Sequence, residues 1–179
     1  MKNLFYLLLL LIPCTLQAQI TQFGSFKILA SEVLYQKVFN RDSVTVEKMV
    51  EFLKTVPTIG NIQAGDGTVT ADLILLKVDY KKFKIPQIDA PAIIQTGVFS
   101  GKLSFDLKPG KYRATLSSIQ MKGDTGTKKI IEPEPITKYA TIDSGTALSK
   151  DWAKPTLLGV LEQQISERLT YKEVNTDWK

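Results

Sequence analysis

The sequence of 179 residues contains no histidine and a single cysteine, Cys14. Without histidine, the chain cannot form a Ser-His-Asp triad, an imidazole zinc site or a His-ligated haem site. One cysteine alone forms neither an internal disulfide nor a zinc site built from thiolates. Catalysis would therefore have to use carboxylates, Ser or Thr, Lys, Tyr or an oxygen-ligated metal. No complete motif for such a site occurs, and we predict no cofactor and no metal site.

Long hydrophobic runs are also scarce. The longest apolar run, Leu4 to Ile12, is too short for a bilayer span of roughly 20 residues. It follows a positive residue, Lys2, and is followed by a short segment that ends in the small residue Ala18, which is typical of a cleavable secretory signal. We therefore predict a signal peptide over 1–18 and an exported protein, periplasmic or extracellular, with no transmembrane span in the mature chain.

Lipidation at Cys14 is the alternative to simple cleavage. Leu11-Ile12-Pro13-Cys14 has the outline of a lipobox, which would anchor the protein to a membrane. Ile12 and Pro13 fit that pattern badly, because small residues are expected before the cysteine. Cleavage after Ala18 would instead leave a mature chain with neither cysteine nor histidine.

The charge balance is modestly basic, with 23 Lys and Arg against 18 Asp and Glu and a net charge of +5. Lysines cluster in predicted turns, where a solvated surface is the ordinary interpretation and an anionic partner is the alternative. These lysines are Lys81, Lys82, Lys84, Lys108, Lys111, Lys128 and Lys129.

Two local patterns open the predicted domain. Residues 32–39 alternate in a way typical of a strand. Val46, Met49, Val50 and Leu53 then form one helical stripe, so a helix is predicted near 46–54, capped by Ser43 or Thr45.

The remaining patterns divide the chain into further elements. Residues 68–80 predict a strand that is central in the sheet and has either a bulge or burial on both of its sides. A hairpin is predicted around the turn at 108–111, and an apolar stripe predicts a last helix. The predicted ranges are a connection at 81–97, hairpin strands at 98–107 and 112–121, a mostly loop segment at 122–150 and a helix at 151–169.

This order of strand, helix, strands and helix favours an α+β fold. We predict a single twisted antiparallel sheet with two helices on one face. The length suits one domain, which we place at 26–171, followed by a C-terminal tail at 172–179.

Two segments resemble a known family. Glu32-Val-Leu-Tyr-Gln-Lys-Val-Phe39 precedes a capped helix, and Gly110-Lys-Tyr-Arg-Ala-Thr-Leu-Ser-Ser-Ile119 forms a later strand. Together they resemble exported bacterial proteins grouped as a domain of unknown function with a TATA-binding-protein-like (TBP-like) fold. The resemblance extends over roughly 26–169. It implies that fold and an exported setting, and it carries over no catalytic residue.

Strand alternation in the hairpin separates a core side from an open side. If Phe105 and its neighbours pack under the helices, then Lys102, Arg113 and Thr115 point away from them, and we predict these three as binding residues. The side chains predicted on the open side are small and mixed in charge. They include none of the apolar wedges that open a DNA minor groove, so no nucleic-acid partner is expected. The residues predicted on the open side are Ser100, Lys102, Ser104, Asp106, Arg113, Thr115 and Ser117.

A catalytic alternative centres on Asp143. Ala140-Thr-Ile-Asp-Ser-Gly-Thr146 is similar to the active-site loop of aspartic proteases, and Asp124-Thr-Gly-Thr127 repeats part of it. The aspartates are only 19 positions apart in the chain. That is too short for the lobe that normally separates such loops, so a polar turn is the ordinary interpretation of each. The leading expectation is therefore a non-catalytic binding or structural module of the cell envelope that acts through the open sheet face and the basic loops. Its expected partner is an envelope protein or an anionic glycan. A carboxylate hydrolase centred on Asp143, with Asp124, is the alternative.

Overall fold

The structure, a computed structural model, describes residues 19–174. The predicted signal peptide, Cys14 and the last five residues of the predicted tail lie outside this range. The strands are β1 (Gln22–Phe23), β2 (Phe26–Leu29), β3 (Glu32–Asn40), β4 (Ile59–Ala64), β5 (Thr68–Lys77), β6 (Val98–Lys108), β7 (Lys111–Asp124), β8 (Lys129–Pro135), β9 (Thr141–Ile142) and β10 (Ala147–Leu148). The helices are α1 (Val46–Lys54), α2 (Ala92–Thr96), α3 (Thr137–Ala140) and α4 (Val160–Leu169).

Eight strands form one antiparallel sheet in the order β1-β2-β3-β7-β6-β5-β4, and β8 also pairs with β7. Strand β7 is long enough to hold two neighbours on one edge: its first half pairs with β3 and its second half with β8. The short strands β9 and β10 form a separate pair. The predicted α+β class with an antiparallel sheet is confirmed.

Helices α1 and α4 contribute buried residues to the same core, on one side of the sheet. Helix α1 starts where predicted, because Thr45 Oγ1 accepts a hydrogen bond from Lys48 N at 3.3 Å and caps the first turn. Met49 and Leu53 on its apolar stripe are fully buried. The core side of the sheet meets them with large side chains, among them Tyr35, Phe105, Tyr112 and Leu116.

Helix α4 is held on the sheet by hydrogen bonds as well as by apolar contact. The hydroxyl of Tyr112 donates to Leu169 O at 2.8 Å and accepts from Tyr171 N at 2.8 Å, so one side chain satisfies two backbone groups at the end of α4. These groups have no partner inside the helix. Burial raises the pKa of Tyr112 to about 12.

The strand pairing of the sheet is irregular at several points. The pairing register shifts in β4 after Gly60, in β5 after Leu73 and in β6–β7 near Gly101. Asn61, Leu75 and Ser118 have φ values of 50°, 53° and 48° at these points. The bulge predicted within 68–80 is confirmed, and bulges of this kind bend and twist a strand.

Two predictions about the sheet are wrong. Strand β5 is not central: it lies next to the edge strand β4, and β7 occupies the middle. Residues 122–150 are not mostly loop, because they contain the end of β7, then β8, α3, β9 and β10. Proline suggested a loop at 133 and 135, but an edge strand tolerates residues that lack a backbone N–H.

Two further boundaries differ from the sequence prediction. The connection at 81–97 contains the short helix α2, whose Ile93 and Ile94 are buried. The helix predicted from 151 begins later, with a π-helical turn over Pro155–Gly159 that leads into α4. Its predicted stripe of Leu158, Leu161, Ile165 and Leu169 is buried as expected.

Candidate functional site: the open sheet face

The side of the sheet opposite the helices is open, and we call it the open face. The predicted binding residues Lys102, Arg113 and Thr115 all belong to it, since they alternate with the buried Leu103, Ala114 and Leu116. Cross-strand register brings side chains from five strands into one row on this face. That row is Gln63 (β4), Thr70 (β5), Ser104 (β6), Thr115 (β7) and Gln36 (β3).

A shallow groove of about 530 Å³ runs across β4 to β7 on the open face. Its size falls within the range of small-ligand sites. Polar side chains dominate its lining, and none of the lining residues is aromatic. The lining residues are Asn61, Gln63, Thr70, Ala71, Asp72, Lys102, Leu103, Ser104 and Ser117.

The positive charge of Lys102 at the groove is compensated by the carboxylate of Asp72. The Nζ of Lys102 lies 2.8 Å from Asp72 Oδ1, and Asn61 Nδ2 donates to Asp72 Oδ2 at 2.8 Å. Hydrogen bonds from Asn61 and from Lys102 lower the pKa of Asp72, so its carboxylate stays ionised opposite the lysine. This side of the groove is therefore polar and close to neutral.

Arg113 and Thr115 are likewise engaged with neighbours. Arg113 pairs with Asp106 on β6, with Nη2 and Oδ2 at 2.9 Å. Thr115 Oγ1 accepts from Gln36 Nε2 at 3.0 Å, and Gln36 Oε1 accepts from Lys27 Nζ at 2.6 Å. Strand alternation placed Arg113 and Thr115 on the correct face but did not reveal these partners.

The ion-pair partners Asp106 and Asp72 were not predicted from the sequence, and they differ in whether the sequence contains a signal for them. The hairpin register alone sets Asp106 opposite Arg113, because the turn at 108–111 fixes the pairing outward from Lys108 and Lys111. Asp72 reaches Lys102 only through the pairing of β5 with β6, across a separation of 30 residues. Such non-local pairing has no short-range signal in the sequence.

The structure does not bring Asp143 and Asp124 together. Asp124 pairs with Lys129 at one end of β8, whereas Asp143 comes after α3, beyond the other end of that strand. Strand β8 alone extends roughly 20 Å at about 3.3 Å per residue. Asp143 lines a shallow cavity of about 400 Å³ in which it is the one carboxylate. A dyad that shares a proton requires two.

The structure brings together a group of residues that no sequence pattern singled out. Ser166 Oγ lies 3.0 Å from Lys37 Nζ and 2.9 Å from Tyr35 Oη. These residue types occur in nucleophilic catalysis. Here Tyr35 is fully buried, and burial raises its pKa. Together with the bond from Ser25 to Glu162, at 2.6 Å, the three residues attach α4 to the sheet, and this accounts for their arrangement.

Two further observations concern metals and membranes. Within residues 19–174, no group of three or more Asp, Glu, His or Cys side chains is arranged to hold a metal ion. Over the same range, no helix has the length and apolar character that a membrane crossing requires.

Comparison with solved structures finds two similar bacterial proteins. One is a DUF4468 family protein from Bacteroides ovatus, with 15% sequence identity and a TM-score of 0.46, covering 85% of this chain and 94% of that chain. The other is a TBP-like protein from Parabacteroides distasonis, with 8% identity and a TM-score of 0.47, covering 83% of this chain and 100% of that chain. Both descriptions agree with the resemblance that the sequence indicated, and neither names an activity, a ligand or a partner. No protein-family model and no curated protein matches the chain.

Proposed function

We propose that this chain is a non-catalytic binding module of the bacterial cell envelope and that the open face is its binding surface. The observation that carries the proposal is the contrast between the two faces of the sheet. One face is buried under α1 and α4, while the other presents a polar groove. A sheet face that α1 and α4 do not cover and that carries an ordered row of polar side chains is suited to contact with a partner.

The hydroxyl groups on the groove floor support this proposal. In the part of the chain that the structure describes, the side-chain hydrogen bonds of the open face include those of Asn61, Asp72, Lys102 and the pairs described above, and none involves the hydroxyl of Thr70, Ser104 or Ser117. Thr70, Ser104 and Ser117 are thereby left to hydrogen-bond with a ligand. Each such bond contributes about 0.5–1.5 kcal/mol, so a ligand that contacts several of them binds measurably but weakly.

The absence of aromatic side chains from the groove lining bears on the kind of ligand. Stacking on an aromatic platform, as in many sugar and single-strand sites, has no counterpart there. Hydrogen bonding is therefore the main recognition chemistry of the groove. This argues for a hydroxylated or peptide-like envelope component and against nucleic acid.

Titration followed by NMR tests the proposal directly. The protein, ¹⁵N-labelled and covering 19–179, is titrated with neutral and uronic-acid-containing oligosaccharides. We expect amide shift changes to concentrate on β5, β6 and β7. Ser104→Arg fills the groove and should abolish them, whereas Glu51→Arg, which introduces the same side chain on exposed α1, should not.

The same experiment addresses the catalytic alternative. Shift changes centred on the turn that contains Asp143, together with peptidase or glycosidase activity that Asp143→Ala removes, would replace the proposal by the carboxylate hydrolase. Equal shift changes in the wild type and in Ser104→Arg would show that the groove is not the binding surface.

A further inference from the structure

Three cationic side chains, those of Lys108, Lys111 and Arg113, lie together at the end of the open face next to the β6–β7 turn. The turn Lys108-Pro109-Gly110-Lys111 has Gly110 at a φ of 78°, as a type II turn requires at this position. This turn sets Lys108 directly opposite Lys111 on the two strands. Both lysines are exposed, and both belong to the same face as Arg113.

Direct opposition of like charges destabilises a strand pair, because Cβ atoms of facing residues are only about 4.5–5.5 Å apart. The carboxylate nearest in the register, Asp106, is already paired with Arg113. Within residues 19–174, no salt bridge joins Lys108 or Lys111 to a carboxylate. Asp42 also approaches the turn, but it lines a different cavity, with Arg41 and Glu173.

Lys108, Lys111 and Arg113 line a small cavity of about 190 Å³ next to the turn, and Val38 and Asp106 also contribute to its lining. Water occupies about 30 Å³ per molecule in the liquid, so the cavity has room for one oxyanion and some of the atoms attached to it. Val38 is 53% exposed at its rim and offers an apolar contact to those atoms.

We propose that this cavity, which we call the hairpin site, binds an oxyanion group: a phosphate, a sulfate or a carboxylate. The anion lies between Lys108, Lys111 and Arg113 and offsets the repulsion that the turn imposes on the two lysines. The inference rests on the proposed function for its setting, since the hairpin site lies at the end of the same open face. It extends that function to ligands that carry an acidic group.

Thermal unfolding at constant ionic strength tests the site, with inorganic phosphate, sulfate or D-glucuronate exchanged for chloride. Saturable stabilisation is expected, about 3–5 °C in the Tm at ten times the Kd. Lys111→Gln should remove this response. It should also raise the Tm without added anion by roughly 1–3 °C, because it ends the repulsion. Lys122→Gln, an equal change on the same strand outside the cavity, should keep the response.

The outcomes separate this inference from the proposed function. A response to inorganic anions alone identifies a free oxyanion as the ligand, and an additional response to D-glucuronate identifies an acidic saccharide; either supports the site. No saturable response, or an equal response in wild type, Lys111→Gln and Lys122→Gln, overturns it. The groove is unaffected by that failure, since the Ser104→Arg titration measures it independently.

Discussion

Replacement of Tyr112 by Phe removes one oxygen atom and leaves the ring in the core. That oxygen donates to Leu169 O and accepts from Tyr171 N, both at 2.8 Å. Leu169 is fully buried and Tyr171 is 8% exposed, so water cannot readily replace the lost partner. The change therefore leaves two backbone groups at the end of α4 without hydrogen bonds.

The expected loss of stability follows from those two groups. An unsatisfied buried donor or acceptor costs about 1–3 kcal/mol. Because the chain after Leu169 can shift to recover part of this, we expect Tyr112→Phe to lower the free energy of unfolding by about 2–4 kcal/mol. That is a large fraction of the 5–15 kcal/mol typical of a domain.

Urea unfolding followed by circular dichroism measures this loss. Tyr139→Phe is the matched control, because the Tyr139 hydroxyl donates to Glu134 at a solvent-accessible site and its removal should cost less than about 0.5 kcal/mol. Equal unfolding midpoints for the two variants would contradict this prediction. The hydroxyl of Tyr112 would then not hold the end of α4.

A pH series gives an independent check of the same side chain. Burial raises the pKa of Tyr112 to about 12 in the folded state, above the ordinary tyrosine value of about 10. Between these two pH values the unfolded state loses the tyrosine proton while the folded state still holds it. The contribution of Tyr112 to the free energy of unfolding is therefore complete below about pH 10 and is lost as the pH rises toward 12. Tyr112→Phe should show a shallower fall in this window. Tyr35, whose pKa is also raised by burial, sustains the remaining slope.

Three other predictions concern the core, the bulge and export. Phe105→Ala should cost about 3–5 kcal/mol in urea unfolding, whereas Arg113→Ala on the open face should cost about 0.5 kcal/mol; comparable losses would mean the two faces are misassigned. Leu75→Gly should stabilise the protein by about 1 kcal/mol relative to Leu75→Ala, because the φ of 53° strains any residue with a Cβ; equal stability would argue against strain at this bulge. In a bacterial host, mass spectrometry of the exported protein should show a chain that begins after Ala18, and a lipid-modified N-terminus at Cys14 would contradict this.

Part of the candidate site could be predicted from local sequence. Alternation along β6 and β7 was enough to place Lys102, Arg113 and Thr115 on the open side, because successive strand residues point to opposite faces. The turn residues Pro109 and Gly110 were enough to set the hairpin register. The opposition of the two lysines at the hairpin site is implicit in that register, although it was not among the predictions.

The groove could not be predicted in the same way. Its walls come from four strands, and β4 has no alternating pattern that would identify it as a strand before β5 pairs with it. The neutral character of the groove also depends on pairing, since Asp72 compensates Lys102 from a different strand. The amino-acid composition gives the number of charged residues but not which of them form ion pairs.

Local sequence was sufficient to specify the elements whose causes are local. A capping Thr45 and an apolar stripe specify α1, a proline-glycine turn specifies the β6–β7 hairpin, and a second stripe specifies α4. The lack of histidine and the single cysteine also exclude whole classes of catalytic and metal site on composition alone. Long-range strand pairing, by contrast, places β7 rather than β5 at the centre of the sheet, makes β8 a strand despite its prolines, and keeps Asp124 and Asp143 apart. Strand order depends on hydrogen bonds between residues distant in the chain, and the sequence pattern of a single strand carries no record of its neighbours.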